Sequence, residues 1–452
     1  MVRNSLVISL LAIILNFVGI FGFIGGDRTK NPSASGLEDV GSSNQINAVT
    51  LPTGGKVQTG DYVQISGNIV NLRSGPGTNY PILGQATNGQ IATLEGGSQG
   101  WVKLRFQDNL TGWSADWLVK PARTTTAQIP RHVPSGTQVL GYYATSAPGD
   151  TSAWNSLNTA KNQLTGVVPF LFTVDGYGNI SGENDWKVIN QAKQAGQTTL
   201  ALVHNIAGDW FDSGVAHNLL SRQVNRTRAV NNIVKIIHDY GYNGVNIDFE
   251  SIAPADRPYL TTFVRELSWA LRPKGYLLTL SIPAKTGDDP TNKWSGAYDY
   301  KAIGEYADWV MLMAYDENYR TGSPGPVASI GWVEKVVKYA TSVIPREKII
   351  LGIPGYGYDW PTNGKPGRSV SYTQAMAIAK ANQITPKWHT VHKVPYFSYV
   401  NNGLVRQVWF ESSWSLEHKL KLVKDYGLKG VALWRLGLED QRTWSVIQNH
   451  LF

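Results

Sequence analysis

The chain has 452 residues, more than one ordinary domain needs and enough for two or three. Its 42% hydrophobic content excludes wholesale disorder, and the complete lack of cysteine excludes disulfides and thiolate metal sites. Net charge is +8, but Lys and Arg are spread along the chain, so the balance suits an anionic surface without marking a nucleic-acid arm.

At the N-terminus, Arg3 precedes an apolar run from Leu6 to Ile24, interrupted only by Ser9 and Asn16. Residues 1–26 therefore read as a signal peptide or an N-terminal membrane anchor, since the run is also close to a span of about 20 residues. Export is expected either way. Residues 27–60, rich in Ser, Gly, Asn and Thr, read as a flexible linker. Residues 61–120 carry short alternating runs such as Ile69-Val70-Asn71-Leu72 and Trp101-Val102-Lys103-Leu104, parted by turns such as Ser74-Gly75-Pro76-Gly77. That predicts a small all-β barrel. A Thr- and Pro-rich linker covers 121–136.

From 137 to 452 the rhythm changes to apolar runs alternating with longer helical stretches. The runs are Val139–Tyr143, Gly166–Phe172, Thr198–Val203, Gly244–Phe249, Leu277–Ile282, Trp309–Ala314, Ile349–Ile353 and Val431–Trp434. Continuous apolar strands joined by crossover helices imply a parallel sheet, and eight units in about 315 residues fit an α/β class (β/α)₈ TIM barrel. An open doubly wound sheet is the alternative, but no Gly-x-Gly-x-x-Gly turn follows the first strand.

The fourth run, Gly244-Val245-Asn246-Ile247-Asp248-Phe249-Glu250, carries the chemistry. Strand alternation sends Val245, Ile247 and Phe249 outward and Asn246, Asp248 and Glu250 into the barrel. Two carboxyls on an inner face cost desolvation energy unless they are paired or put to use, and they lie at the strand end where barrel enzymes place their active sites. An inward polar ladder satisfied by neighbouring strands is the purely structural reading.

This stretch resembles the signature of glycoside hydrolase family 18, Asp-x-x-Asp-x-Asp-x-Glu, with Asp248 and Glu250 at its last two places. Gly141-Tyr142-Tyr143, Met313-Ala314-Tyr315-Asp316 and Trp434 resemble the family's first, sixth and eighth strand ends, so the likeness covers the whole barrel. Asn243 and Asn246 stand where the general signature has Asp. That departure, with Trp409-Phe410-Glu411 and the run from Leu351 to Gly357, is similar to the subgroup acting on bacterial peptidoglycan, including spore-cortex N-acetylglucosaminidases.

The resemblance implies retaining, substrate-assisted hydrolysis, in which the sugar's own acetamido oxygen replaces a protein nucleophile. Glu250 would be the general acid and base, Asp248 would orient the acetamido N–H, and Tyr315 would hold the acetamido oxygen. Tyr142, Asn246, Asp316, Trp434 and Asn205 are the candidate substrate contacts. The expected function is hydrolysis of β-1,4 bonds after N-acetylglucosamine in peptidoglycan of the cell wall or spore cortex. A chitinase-type endo-β-N-acetylglucosaminidase and a non-catalytic glycan-binding wall protein are the alternatives.

Residues 61–120 resemble the bacterial SH3-like family through Val70-Asn71-Leu72-Arg73-Ser74-Gly75-Pro76-Gly77-Thr78 and Gly112-Trp113 to Val119, which implies wall binding. No cofactor is expected. His389 and His392 have His-x-x-His spacing without a third ligand nearby, so no metal is expected. The chain is expected to act as a monomer on an N-acetylated glycan in the wall, spore or extracellular space, with no nucleic-acid partner.

Overall fold

The computed structural model describes residues 48–52, 56–59, 61–106, 110–122 and 133–452. The chain divides into two compact units near residue 130. The apolar run at 6–24 and parts of both expected linkers lie outside the described residues. No helix among the described residues is long and apolar enough to cross a membrane.

The larger unit is a closed barrel of eight parallel strands, β1 (Gln138–Tyr143), β2 (Gly166–Val174), β3 (Thr198–His204), β4 (Gly244–Asp248), β5 (Leu277–Pro283), β6 (Trp309–Met313), β7 (Ile349–Pro354) and β8 (Gly430–Trp434). Each pairs with the next, and β8 closes on β1 with Leu140 beside Ala432. β5 and β7 are buried at every position, because helices cover one face and the barrel interior the other.

Helices follow the strands, with spacing that presents one apolar stripe inward. Arg257–Leu271, for instance, turns Leu260, Phe263, Val264, Leu267 and Leu271 to the barrel. Asp185, Asp212 and Asp299 cap three of the helices by accepting main-chain N–H groups. Val245, Ile247 and Phe249 pack with the helical layer, as alternation predicts. Leu140, Val168, Leu200, Leu277, Trp309, Met311 and Ile350 fill the barrel itself.

The crossover between β7 and β8 contains more than a helix, which the strand rhythm did not anticipate. Five antiparallel strands lie in the order Arg368–Ser371, Tyr356–Pro361, Leu404–Phe410, Val394–Asn401, Lys387–His389. One face packs under the helix Tyr372–Ala381 through Val370, Ala375, Phe397, Val408 and Phe410. The other face sets Tyr356, Tyr358, Trp360 and Trp409 in one cluster with Tyr315 and Trp434 of the barrel mouth. This inserted sheet is what brings a tyrosine wall to the site.

The smaller unit is an antiparallel seven-stranded sheet from Tyr62–Ile65 to Val119–Pro121, around Val63, Ile65, Leu72, Leu94, Val102, Leu104 and Val119. The expected linker over 27–60 is corrected at its end. Ala48–Thr50 and Lys56–Gln58 form a hairpin, and Leu51 and Val57 are buried in the same core. The Ser, Gly and Thr content of that segment hid two apolar residues that earn their order by burial.

Candidate active site

β4 ends in Asp248, and the chain leaves the barrel at Glu250. Asp248 is sealed, and its Oδ1 has no hydrogen-bond partner in the protein. Burial pushes its carboxyl up from 3.8 to about 7. Glu250 sits at the mouth, partly open. Its carboxyl is held well above the ordinary range by burial first, then by the charges of Asp248 and Asp316. Both carboxyls are thus biased toward their protonated forms, as proton donation from a carboxyl requires.

Asn246 lies one inward step deeper than Asp248 and is fully buried. Its Nδ2 donates to Thr279 Oγ1 at 3.1 Å, and its Oδ1 accepts from Ser281 Oγ at 3.0 Å. Ser281 Oγ in turn lies 2.7 Å from the Tyr142 hydroxyl. Asn246 was expected among the substrate contacts. Its amide is instead committed to β5, where it builds a neutral floor beneath Asp248 and orients Tyr142.

Asn205, a further expected substrate contact, is bonded to the main chain in a similar way. It is fully buried. Its Nδ2 donates to the Glu250 carbonyl at 2.9 Å and the Asp212 carbonyl at 3.0 Å, while its Oδ1 accepts the Glu250 N–H at 2.9 Å. Both main-chain groups of Glu250 are thus held by one amide. Tyr298 adds a hydrogen bond of 2.6 Å to the Phe249 carbonyl next door. The acid emerges from an irregular strand end, and these side chains replace the ladder bonds it lacks.

Tyr315 and Asp316 follow β6. Asp316 Oδ1 accepts hydrogen bonds from Tyr356 at 2.8 Å and Tyr358 at 2.9 Å. Burial raises Asp316 to about 6, while the two phenols pull the other way. Asp316 adopts φ of 59°, left-handed for a non-glycine residue. Tyr315 lies within electrostatic reach of Tyr142, Asp248 and Glu250. Trp434 stands edge-on to Tyr142 at 5.4 Å and to Phe170 at 5.7 Å. Tyr142, Asp248, Glu250, Tyr315, Asp316 and Trp434 therefore converge on one mouth.

Tyr356, Tyr358, Ser281, Tyr298 and His204 were not singled out from the sequence. The period-two run Tyr356, Tyr358, Trp360 directly after β7 was the available signal. His204 lies beside Asp248 in the sheet register and stacks on Phe170 at 4.4 Å. Its Nδ1 accepts the Ile206 N–H at 3.2 Å, so the ring proton is on Nε2, 3.3 Å from Thr173 Oγ1. Burial lowers its pKa to about 3, leaving a neutral wall beside the acids. Among the described residues, no group of three or more His, Asp or Glu side chains is placed to hold a metal ion.

Comparison with known proteins shows the family and the fold. The model of Glycosyl hydrolases family 18 matches residues 138–439, and that of the Bacterial SH3 domain matches residues 67–120. The cortical fragment-lytic enzyme of Bacillus cereus is 30% identical over 327 residues, covering 70% of this chain and 76% of the relative. The spore cortex-lytic enzyme SleL of Bacillus megaterium superposes with a TM-score of 0.66 at 28% identity, over 76% of this chain and 78% of SleL. A chitinase of Chromobacterium violaceum gives 0.65 at 30% identity, over 70% of this chain and 99% of the chitinase.

Proposed function

The chain belongs to glycosyl hydrolases family 18 and is a glycosidase; from that premise we propose that it hydrolyses the β-1,4 bond after N-acetylglucosamine in peptidoglycan, in the cell wall or the spore cortex. The observation that carries this reading is the sealed Asp248 beside Glu250, with one carboxylate oxygen that no protein group satisfies. An acetamido N–H of the bound sugar is the donor whose chemistry matches that oxygen.

In the proposed reaction Glu250, protonated, donates to the leaving glycosidic oxygen. The acetamido oxygen attacks the anomeric carbon, Asp248 accepts from the acetamido N–H, and Tyr315 holds the acetamido oxygen in line. Glu250, now a carboxylate, takes a proton from water as that water opens the oxazolinium ion, and configuration is retained. Trp434 and Tyr142 form the floor of the reacting subsite.

Relatives named cortical fragment-lytic and spore cortex-lytic enzymes support a wall glycan as substrate. The bacterial SH3 domain supports wall attachment, and the apolar run at 6–24 supports export by signal or anchor. The likeness to a chitinase favours a second reading, cleavage of a polymer of N-acetylglucosamine alone.

The test is incubation of the chain from residue 27 onward with purified sacculi, spore cortex and chitin, with Glu250→Gln as control. Products are reduced with borohydride and read by mass spectrometry. Fragments ending in reduced N-acetylglucosamine, absent from the control, are expected. Ends in reduced muramic acid, or release from chitin alone, would overturn the proposal.

A further inference from the structure

The face of the inserted sheet that meets the barrel mouth carries a second cluster, which the reaction centre does not use. Cross-strand pairing sets Trp409 beside Tyr358 and Tyr396 beside Trp409. These strands step about 5 Å and about 10 Å away from the strand of Tyr358, whose hydroxyl holds Asp316. There Tyr396 lies flat on Trp409, with centroids 4.5 Å apart and 15° between planes. His389 stacks on His392 at 4.2 Å and leans on Trp409 at 5.7 Å and Tyr396 at 5.8 Å. All four are partly exposed. The main-chain carbonyl of His392 accepts the Ile330 N–H at 3.1 Å, which ties this cluster to the loop after β6.

Rings stacked on one another have one face each already occupied. Their electropositive edges and polar atoms are also available to a ligand, apart from the Trp409 indole N–H, which donates to Gln407 Oε1 at 3.4 Å. His389 Nδ1 accepts the His392 N–H at 3.1 Å, so its Nε2 carries the proton and is a donor. Tyr396 adds a hydroxyl. The carboxylate brought near by the same loop, Glu317, is engaged by the Ser329 N–H at 2.8 Å. Two imidazoles in contact resist charging together, and burial with the neighbouring His392 holds His389 below its ordinary pKa. An arriving anion removes that penalty.

We propose that His389, His392, Tyr396 and Trp409 form an anion-recognising subsite, which takes the carboxylate of a sugar substituent one or two residues from the cleaved bond. It separates an acidic glycan from a neutral polymer of the same N-acetylated sugar. The proposal rests on the wall-glycan reading above and adds the chemical feature by which that glycan is selected.

The test uses three probes of equal sugar length. They are wall glycan strands with their stem peptides, the same strands stripped to the lactyl carboxylate, and neutral N-acetylglucosamine oligomers. Binding is measured by calorimetry on the full chain carrying Glu250→Gln, with and without the double substitution His389→Gln and His392→Gln, and KM is measured with Glu250 intact. Loss of a charge-assisted contact is expected to weaken the acidic strands about tenfold or more, in Kd and in KM, and to leave neutral oligomers nearly unchanged. A response confined to peptide-bearing strands, whose lactyl carboxyl is amidated, assigns the anion to the peptide; a response confined to stripped strands assigns it to the free lactyl carboxylate, and a response of both shows that the subsite takes either. An equal loss on the neutral oligomer, or no loss on any probe, overturns the subsite. Wall cleavage with an unaltered KM in the double variant would remove the subsite and keep the function. Histidine-dependent binding without wall cleavage would do the reverse.

Discussion

Replacing Asp248 by Asn should make the protein more stable and nearly inactive, and the stability gain should depend on pH. The Asp248 carboxyl ionises near 3.8 in an unfolded chain and at about 7 when folded, because burial disfavours its charge. At about 1.4 kcal/mol per pH unit, the ionised group costs the fold about 4 kcal/mol once it is fully charged. The folded state holds this proton more tightly than the unfolded state does. The wild type therefore suffers no penalty below about pH 4, a growing one as pH rises toward 7, and a constant one above. Glu250 is raised as well, partly by the charge of Asp248, so the two ionisations are coupled and the measured difference should fall below that ceiling. Thermal unfolding of the whole chain at pH 4 and pH 8 reads this directly. Asp248→Asn should raise Tm by about 4 °C or more at pH 8 and leave it nearly unchanged at pH 4. An equal gain at both pH values, or none at pH 8, would refute desolvation as the cause. The same variant should lose about 100-fold to 1000-fold in kcat, because the acetamido group loses its orienting acceptor.

Asn205→Ala should leave the buried N–H and carbonyl of Glu250 unpaired, lowering stability by about 2–3 kcal/mol in denaturant titration and lowering kcat more than it raises KM. Tyr358→Phe removes a donor that pulls the Asp316 pKa down, so that pKa should climb above about 6, shifting the corresponding limb of the kcat/KM profile to higher pH. An unmoved profile between pH 4 and 9 would place Asp316 outside the titrating machinery. Lys419→Met should cost about 3–5 kcal/mol in chemical unfolding, since Glu411, 2.8 Å away, would keep a buried charge alone. Adding Glu411→Gln should recover most of that loss.

The barrel was legible because its strands are buried on both faces, so each appears as an unbroken apolar run whatever surrounds it. The same logic exposed the acids. In Gly244 to Glu250, polar residues break an apolar strand at every second place, which marks an inward-facing polar row. The ends of β4, β6 and β8 named Asp248, Glu250, Tyr315 and Trp434 from local pattern and family resemblance alone.

What the sequence left undecided is everything set by pairing across long separations. Asn205 and Asn246 look like substrate contacts in sequence, since a polar residue at a strand end offers a free amide. Only the folded chain shows Asn205 closing on Glu250 45 positions away and Asn246 closing on Thr279 and Ser281 of the next strand. The tyrosine wall is a further case, because Tyr356 and Tyr358 reach Asp316 only once the inserted sheet folds back over the mouth. Local pattern determines which residues face inward. Which partner each one meets depends on strand register and loop closure, which no short stretch of sequence encodes.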